Sequence, residues 1–256
     1  MTKKTVYLLN IGNYEPEITE LTYPTIEAWA DKIRADVFVI TERKFGEWPV
    51  TYEKLQIHEL AKKRKDEWAI YLDSDALVHP ELPDMTELMS GDVVAHNAVD
   101  FAPLRWTYDD YFRRDGRNIG SANWFACASA WCLDLWRPLD DLTPEEAEKN
   151  IHLTVPESRI MKPEHLIDDY ALSRNIARFG LKVTTLTDLW KRANLGTAEF
   201  FFHQYLMPTH DYEGEAPVLG ENGQPIPKPE GGIVTERTTL PGKVTLMRQT
   251  LERWNL

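Results

Sequence analysis

Short, dense apolar runs alternate in this chain with longer stretches whose apolar residues return every three or four positions, the pattern of strands alternating with helices. The first run, Val6 to Leu9 within TVYLLNIGNY, reads as a strand that breaks into a loop at Asn10, Gly12 and Asn13. YPTIEAWADKI then has helical spacing, with its acidic residues early and Lys32 and Arg34 late, which suits the helix dipole. ADVFVIT is a continuous apolar run of the kind buried on both faces of a parallel sheet. TYEKLQIHELAKKRK reads as a helix with Thr51 as its N-cap and Ile57, Leu60 and Ala61 facing inward. Ala69 to Leu72 is the third strand. Strand, helix, strand, helix, strand in this order predicts a doubly wound, largely parallel sheet.

Beyond Asp75 the pattern is mixed. DVVAH and ANWFACASAWCL predict strands, separated by the aromatic and basic stretch RWTYDDYFRRDGR. Thr143, Pro144 and Glu146 are spaced as a capping box with proline at the first helical position. HLIDDYALSRNIARFG predicts a helix with Leu172, Ile176 and Phe179 on one face and Gly180 ending it. LKVTTL predicts a further strand and AEFFFHQY a short apolar segment. Residues 208–242 hold much of the Pro and Gly and little periodicity, so they read as loop with a hairpin around GENGQP. KVTLMRQTLERW closes the chain as a short helix. The economical division is one α/β domain over 1–207 with a loop-rich extension, 208–256, packed on it.

Charge and cysteine content narrow the field. A formal net charge of −12 disfavours a general nucleic-acid binder, because the whole field repels a phosphate backbone. The only two cysteines, Cys127 and Cys132, build neither a disulfide framework nor a zinc spacing, so a reducing cytoplasm is the expected setting. The apolar run after the first lysines is too short for a signal peptide or a membrane span.

The chemistry concentrates in YLDSDALVHPEL, where an apolar strand runs into Asp73 and Asp75. Ligands of open α/β sheets bind outside the carboxyl ends of the strands, where both carboxylates stand. A pair of hard oxygen ligands two residues apart suits Mn²⁺ or Mg²⁺, which complete their shells with phosphate oxygens of a substrate.

This block resembles the Asp-x-Asp motif of GT-A glycosyltransferases, particularly the retaining group that includes glycogenin and the bacterial lipopolysaccharide galactosyltransferases. ANWFACASAWCLDLWR, HLIDDYALSRNI and FFHQY follow in that group's order, so the resemblance spans roughly residues 5–206. It departs where Phe125-Ala126-Cys127 replaces Asn-Ala-Gly, and where the late His is not followed by Gly-x-x-Lys-Pro-Trp. The resemblance implies a single Rossmann-like GT-A domain with a mixed, mostly parallel central sheet flanked by helices. It implies transfer of a sugar from a nucleotide diphosphate sugar, a UDP-sugar foremost, to an acceptor hydroxyl with retention.

Residue by residue, it implies that His203 completes a metal set with Asp73 and Asp75. Asp168 or Asp169 would orient the acceptor or face the anomeric carbon. Asn10, Gly12 and Tyr14 follow the first strand, the usual place for base and ribose in this architecture. Asp73 lies near the ribose as well, Lys54 is a candidate for the donor phosphates and Asn97 for a sugar hydroxyl. The acceptor is a glycan or lipid by preference. A nucleic acid remains open through Arg105–Arg117, where Trp106, Tyr108, Tyr111 and Phe112 interleave with arginines. Two other classes fit strand-end carboxylates: a Mg²⁺-dependent nucleotidyl- or phosphotransferase, for which NIGNY is a poor phosphate loop, and a non-catalytic nucleotide-sugar binder.

Overall fold

A computed structural model describes residues 2–97, 124–153, 162–195, 199–203, 208–218, 220, 224, 226–228 and 234–256. The strands are β1 (Lys4–Leu9), β2 (Ala35–Ile40), β3 (Trp68–Leu72), β4 (Ala76–Val78), β5 (Val93–His96), β6 (Phe125–Ser129), β7 (Lys182–Thr185), β8 (Phe201–His203), β9 (Tyr212–Pro217) and β10 (Thr235–Leu240). The α-helices are α1 (Pro16–Ile33), α2 (Ile57–Arg64), α3 (Pro144–Lys149), α4 (Ile167–Arg178), α5 (Leu186–Arg192) and α6 (Lys243–Trp254).

Six strands form one sheet in the order β2-β1-β3-β6-β5-β7. β1 pairs in parallel with β2 and β3, and β5 with β7, while β6 runs antiparallel to both its neighbours. The sheet is therefore mixed and mostly parallel: the alternation of elements predicts its parallel part, and the family resemblance its mixed character.

Because successive side chains of a strand point to opposite faces, the apolar runs feed two cores at once. Tyr7, Ala69, Tyr71, Ala126 and Ala128 face α2 and α4, where Ile57, Ala61, Ile167, Tyr170, Leu172 and Ile176 are buried. Val6, Leu8, Ile70, Leu72, Phe125 and Cys127 face α1 and α5, against Ile26, Trp29, Ile33, Leu186 and Leu189. The result is three layers, helix, sheet, helix.

Several elements differ from the sequence pattern for identifiable reasons. ADVFVIT was expected to be buried on both faces, yet β2 is an edge strand paired only with β1, and most of its side chains are half-buried. An apolar run looks the same at an edge as at a centre. α1 begins at Pro16, a full seven residues before Tyr23, and carries Pro24 inside it. Thr51 is not an N-cap: Val50–Gln56 is a 3-10 turn that starts after Pro49, and α2 begins only at Ile57. The segment after Ser129 leaves the sheet as a 3-10 stretch, Ala130–Trp136, and α5 lies in a segment that the apolar pattern did not mark. The Thr143–Glu146 capping box forms as predicted.

The extension also carries more structure than a loop. β9 and β10 pair antiparallel, and hydrogen bonds from Ile226 N to Val218 O and from Gly220 N to Gln224 O tighten the connection around GENGQP. TERTTL offers β-branched threonines and charges but no apolar face, which is why hydrophobic periodicity misses it.

α6 is docked rather than trailing. Val244 and Met247 are buried with Ile18 and Leu77. Its start is fastened by Lys243 N donating to Pro208 O at 2.6 Å, Val244 N to Thr209 O at 3.1 Å and Gly242 N to Asp211 Oδ1 at 2.8 Å.

Two outcomes test this packing. A Cβ on Gly242 would lie 2.4 Å from the carbonyl carbon of His210, a backbone atom with no freedom to yield. Gly242→Ala should therefore destabilise the chain by about 1–3 kcal/mol, the usual cost of overpacking, in urea unfolding; an unchanged midpoint would show that the 208–211 clamp is loose. On the far side, Arg174 makes two parallel bonds of 2.9 Å to Asp141, and this guanidinium holds the Asp141 carboxyl below its ordinary value. A depressed carboxyl contributes stability that is present above its unfolded pKa of about 3.9 and lost as pH falls through the folded value. The stability gap between the wild type and Asp141→Asn should thus be present at neutral pH and close in acid, at no more than about 1 kcal/mol for so exposed a pair.

Candidate metal and donor site

β1 lies between β2 and β3, and the connections that leave the carboxyl ends of β1 and β3 run toward opposite edges of the sheet. That creates the crevice in which doubly wound sheets bind ligands. At its edge β3 stops and Asp73-Ser74-Asp75 makes the turn into β4. Asp73 N donates to Trp124 O at 2.9 Å, and Ala76 N donates back to Asp73 O at 3.1 Å. Ser74 is pinned inward, its hydroxyl donating to Leu9 O at 2.7 Å and its carbonyl accepting from Thr22 Oγ1 at 2.5 Å. With Ser74 held by β1 and α1, the flanking Asp73 and Asp75 both line the cleft.

The third member arrives by strand pairing. β4 and β8 run antiparallel with Ala76 opposite His203, Leu77 opposite Phe202 and Val78 opposite Phe201. Phe200 is buried against Trp190, and Phe201 packs on Trp124 and Phe125, so the aromatic run fixes β8 in place. Trp124 also stacks on the His203 imidazole, with centroids 5.2 Å apart and planes 10° from parallel. His203 Nε2 stands 3.1 Å from Asp75 Oδ1 and 3.5 Å from Asp73 Oδ2. One ligand atom from each of the three residues lies within 4.8 Å of the others.

The electrostatics show a surplus of negative charge in a largely dry place. Burial works against a charged His203, but hydrogen bonds to Asp73 and Asp75 outweigh it and raise the imidazole to about 9. Burial likewise opposes ionisation of Asp75, yet His203 and Lys243 together hold its carboxyl well below the usual range. Lys243 Nζ is 2.9 Å from Asp75 Oδ2. Behind Asp73, the phenol of Tyr71 donates to Oδ1, and the buried Lys54 ammonium lies 3.8 Å away. Two carboxylates and an imidazole that converge and draw in protons and ammonium groups form a donor set suited to a divalent cation.

A cleft of about 980 Å³ opens over this cluster. Its walls include Leu9, Ile11, Tyr14 and Glu15 on one side and Trp48, Pro49, Glu145, Glu148, Glu164 and His165 on the other. The other expected site residues are placed as follows. Tyr14 lines the cleft and is about half exposed, at 48%. Asn10 faces the protein instead, donating to the Tyr23 hydroxyl at 3.0 Å and accepting from Tyr14 N at 2.8 Å, which shapes the loop that presents Tyr14. Gly12 adopts φ +72°, a conformation that favours glycine, in the same loop.

Lys54 is 2% exposed, bonded to Asp168 Oδ2 at 2.6 Å and set 4.5 Å over the Tyr71 ring, so its charge is spent on protein carboxylates. Asp168 and Asp169, expected at the reacting sugar, are buried in the first turn of α4 and do not line the cleft. Asn97, just after β5, accepts from Phe125 N at 3.2 Å through its Oδ1. Arg105–Arg117 lies outside the described residues. The pattern of the sequence did not mark Lys243, Glu15 or Trp48. Lys243 reads as an ordinary helix start, and only the docking of α6 carries it to Asp75.

No family model and no curated protein sequence matches the chain. Solved structures do match in fold. The WbbM bifunctional glycosyltransferase aligns with a TM-score of 0.50 at 11% identity, over 80% of this chain and 46% of that one, so the chain spans less than half of that protein. A glycosyltransferase involved in glycosylation of the major capsid of PBCV-1 aligns with a TM-score of 0.44 at 14% identity, over 79% of this chain and 92% of the other. The galactosyltransferase LgtC, solved with donor and acceptor sugar analogues, gives 0.42 at 15%, over 70% and 73%. Identities this low speak to the fold alone. The mixed sheet and its flanking helices are an arrangement found among glycosyltransferases.

The buried Lys54–Asp168 pair offers a direct test of the site's foundation. Lys54→Met leaves Asp168 buried without its cation and should cost about 3–5 kcal/mol in chemical unfolding. Adding Asp168→Asn should recover a good part of that loss. If the two changes add independently, the pair does not support the site as drawn.

Proposed function

We propose that this chain is a metal-dependent glycosyltransferase that moves a sugar from a nucleotide diphosphate donor, a UDP-sugar foremost, to an acceptor hydroxyl. The observation that carries this reading is the convergence of Asp73, Asp75 and His203 at the mouth of the β1/β3 crevice, beneath a cleft of nucleotide-sugar size. Asp73, Asp75 and His203 would hold Mn²⁺ or Mg²⁺. When bound there, such an ion supplies Lewis-acid stabilisation of the charge growing on the departing diphosphate.

The chain's own residues do the rest. Tyr14, presented by the loop that Asn10 and Gly12 shape, offers a ring to the base, and the Asp73 carboxylate is also within the reach of a ribose hydroxyl. Lys54, held by Asp168, acts from behind: its ammonium and the Tyr71 phenol both engage Asp73 Oδ1, which leaves Oδ2 toward His203. With Asp168 and Asp169 buried, neither is a free general base. This supports the retaining course, in which the departing phosphate takes the acceptor proton. A glycan is the favoured acceptor, with a lipid, a protein or a modified nucleic-acid base as the others, and Asn97 is proposed at a sugar hydroxyl. Residues 208–256 are read as an extension that completes the 1–207 domain by delivering Lys243. No helix among the described residues is long and apolar enough to cross a membrane, and both cysteines are free and buried. A reducing cytoplasm is the proposed setting.

Asp75→Ala should abolish Mn²⁺-dependent release of nucleotide from a panel of UDP-, GDP- and dTDP-sugars while leaving the melting profile cooperative. His203→Ala should lose less, because water can replace one neutral ligand. Full Mn²⁺-dependent turnover in Asp75→Ala would refute the assignment.

A further inference from the structure

Lys243 is a lysine set into an anionic cleft, and the transfer reaction alone does not require it there. Its side chain is 8% exposed, with Nζ 2.9 Å from Asp75 Oδ2 and 3.8 Å from Glu15 Oε2. The placement is built in. The backbone bonds to 208–211 fasten the start of α6, and Thr209 Oγ1 closes the circle by donating to Glu15 Oε1 at 2.9 Å. Val244 and Met247 anchor the next turns in a buried cluster, so the ammonium has little freedom to leave.

Asp75 is consequently shared: Oδ1 faces His203 and Oδ2 faces Lys243. Asp73 is shared as well, with Lys54 behind it. Counted with Asp168 and Glu15, four carboxylates meet two ammonium groups, which leaves a net negative charge for an incoming divalent cation.

We propose that Lys243 is a fixed counter-ion that makes divalent-cation binding at Asp73, Asp75 and His203 conditional on the donor's diphosphate. This rests on the functional reading above. A cation arriving alone meets a carboxylate already half-engaged and an ammonium on its other side, and like charges in a low-dielectric site repel strongly. A diphosphate brings negative charge that the cation and the ammonium both take up. Each ligand therefore raises the affinity of the other, by the same factor in both directions.

The test uses the full chain and three variants. Lys243→Met removes the charge, Lys243→Gln removes it while keeping a hydrogen-bond donor toward Asp75, and Lys243→Arg keeps the charge. Binding of Mn²⁺ is followed by electron paramagnetic resonance and calorimetry, alone and with saturating UDP or GDP. The wild type and Lys243→Arg should bind Mn²⁺ weakly alone and about tenfold or more tightly with the diphosphate. Lys243→Met and Lys243→Gln should bind free Mn²⁺ about tenfold more tightly than the wild type and lose most of the coupling. A merely structural role would weaken both affinities together. If wild type shows the coupling but both neutral variants bind free Mn²⁺ no more tightly, the proposed role of Lys243 is wrong and the site stands. If the wild type binds Mn²⁺ in neither condition, the metal site itself is wrong and the proposal falls with it.

Discussion

Charge compensation at the end of β3 is the constraint on which the rest of the site depends. Asp73, Asp75 and the nearby Asp168 crowd into a region where burial makes an unpaired carboxylate expensive. The chain answers with one cation from each of three distant segments. Lys54 comes from the 3-10 turn before α2, His203 from β8 and Lys243 from the start of α6. Each is held by packing that looks purely structural: the Tyr71 ring under Lys54, the Trp124 ring on His203, the 208–211 clamp at Lys243. The fold and the site are joined through these contacts, and a change to the supporting aromatic or clamp residues reaches the carboxylates without touching them.

The β4–β8 pairing shows how a small element can carry a large consequence. Among the described residues three pair on each side, and they bring His203 to Asp75 across the whole middle of the sequence. Such a pairing closes a long loop, and backbone bonds alone would not offset the closure entropy. The run Phe200–Phe202 offsets it by burial on both sides, with Phe200 and Phe201 packed into the α1 and α5 layer and Phe202 against the Ile18 and Leu77 cluster. The aromatic residues before His203 are thus the reason that an imidazole can be delivered to this point.

What was legible in the sequence follows the range of the interactions. Asp73 and Asp75 could be placed because a local signal, the apolar run Ala69–Leu72, positions them at a strand end. The Thr143 capping box and the α4 face were legible for the same reason, all their determinants lying within a few residues. The edge position of β2 was not, since its apolar content matches that of a central strand. The hairpin around GENGQP was legible from its turn residues, but the extent of β9 and β10 was not, because these strands have no apolar face to mark them. His203 could be suspected from the family resemblance, but its partner strand could not. The burial of Asp168 and Lys54 and the approach of Lys243 and Glu15 arise only when elements far apart in sequence pack together.

The same charge pattern bears on what can enter the cleft. Besides Asp73 and Asp75, its described walls carry Glu15, Glu47, Glu145, Glu148 and Glu164, opposed among the described residues by Lys243, His165 and His203. A cleft lined mostly by one sign of charge focuses its field on whatever approaches. A nucleotide diphosphate enters such a field at a disadvantage unless a divalent cation accompanies it. An acceptor rich in phosphate would meet the same field with no cation of its own to offset it. Among the described walls, Trp48, its ring backed by Tyr52 at 4.0 Å, is the feature suited to the face of an uncharged sugar. Carboxylates beside it can accept hydrogen bonds from hydroxyl groups. Under the proposed function, the described part of the cleft would suit a neutral, hydroxyl-bearing acceptor better than a nucleic acid, for the same reason that the proposed donor would need its metal.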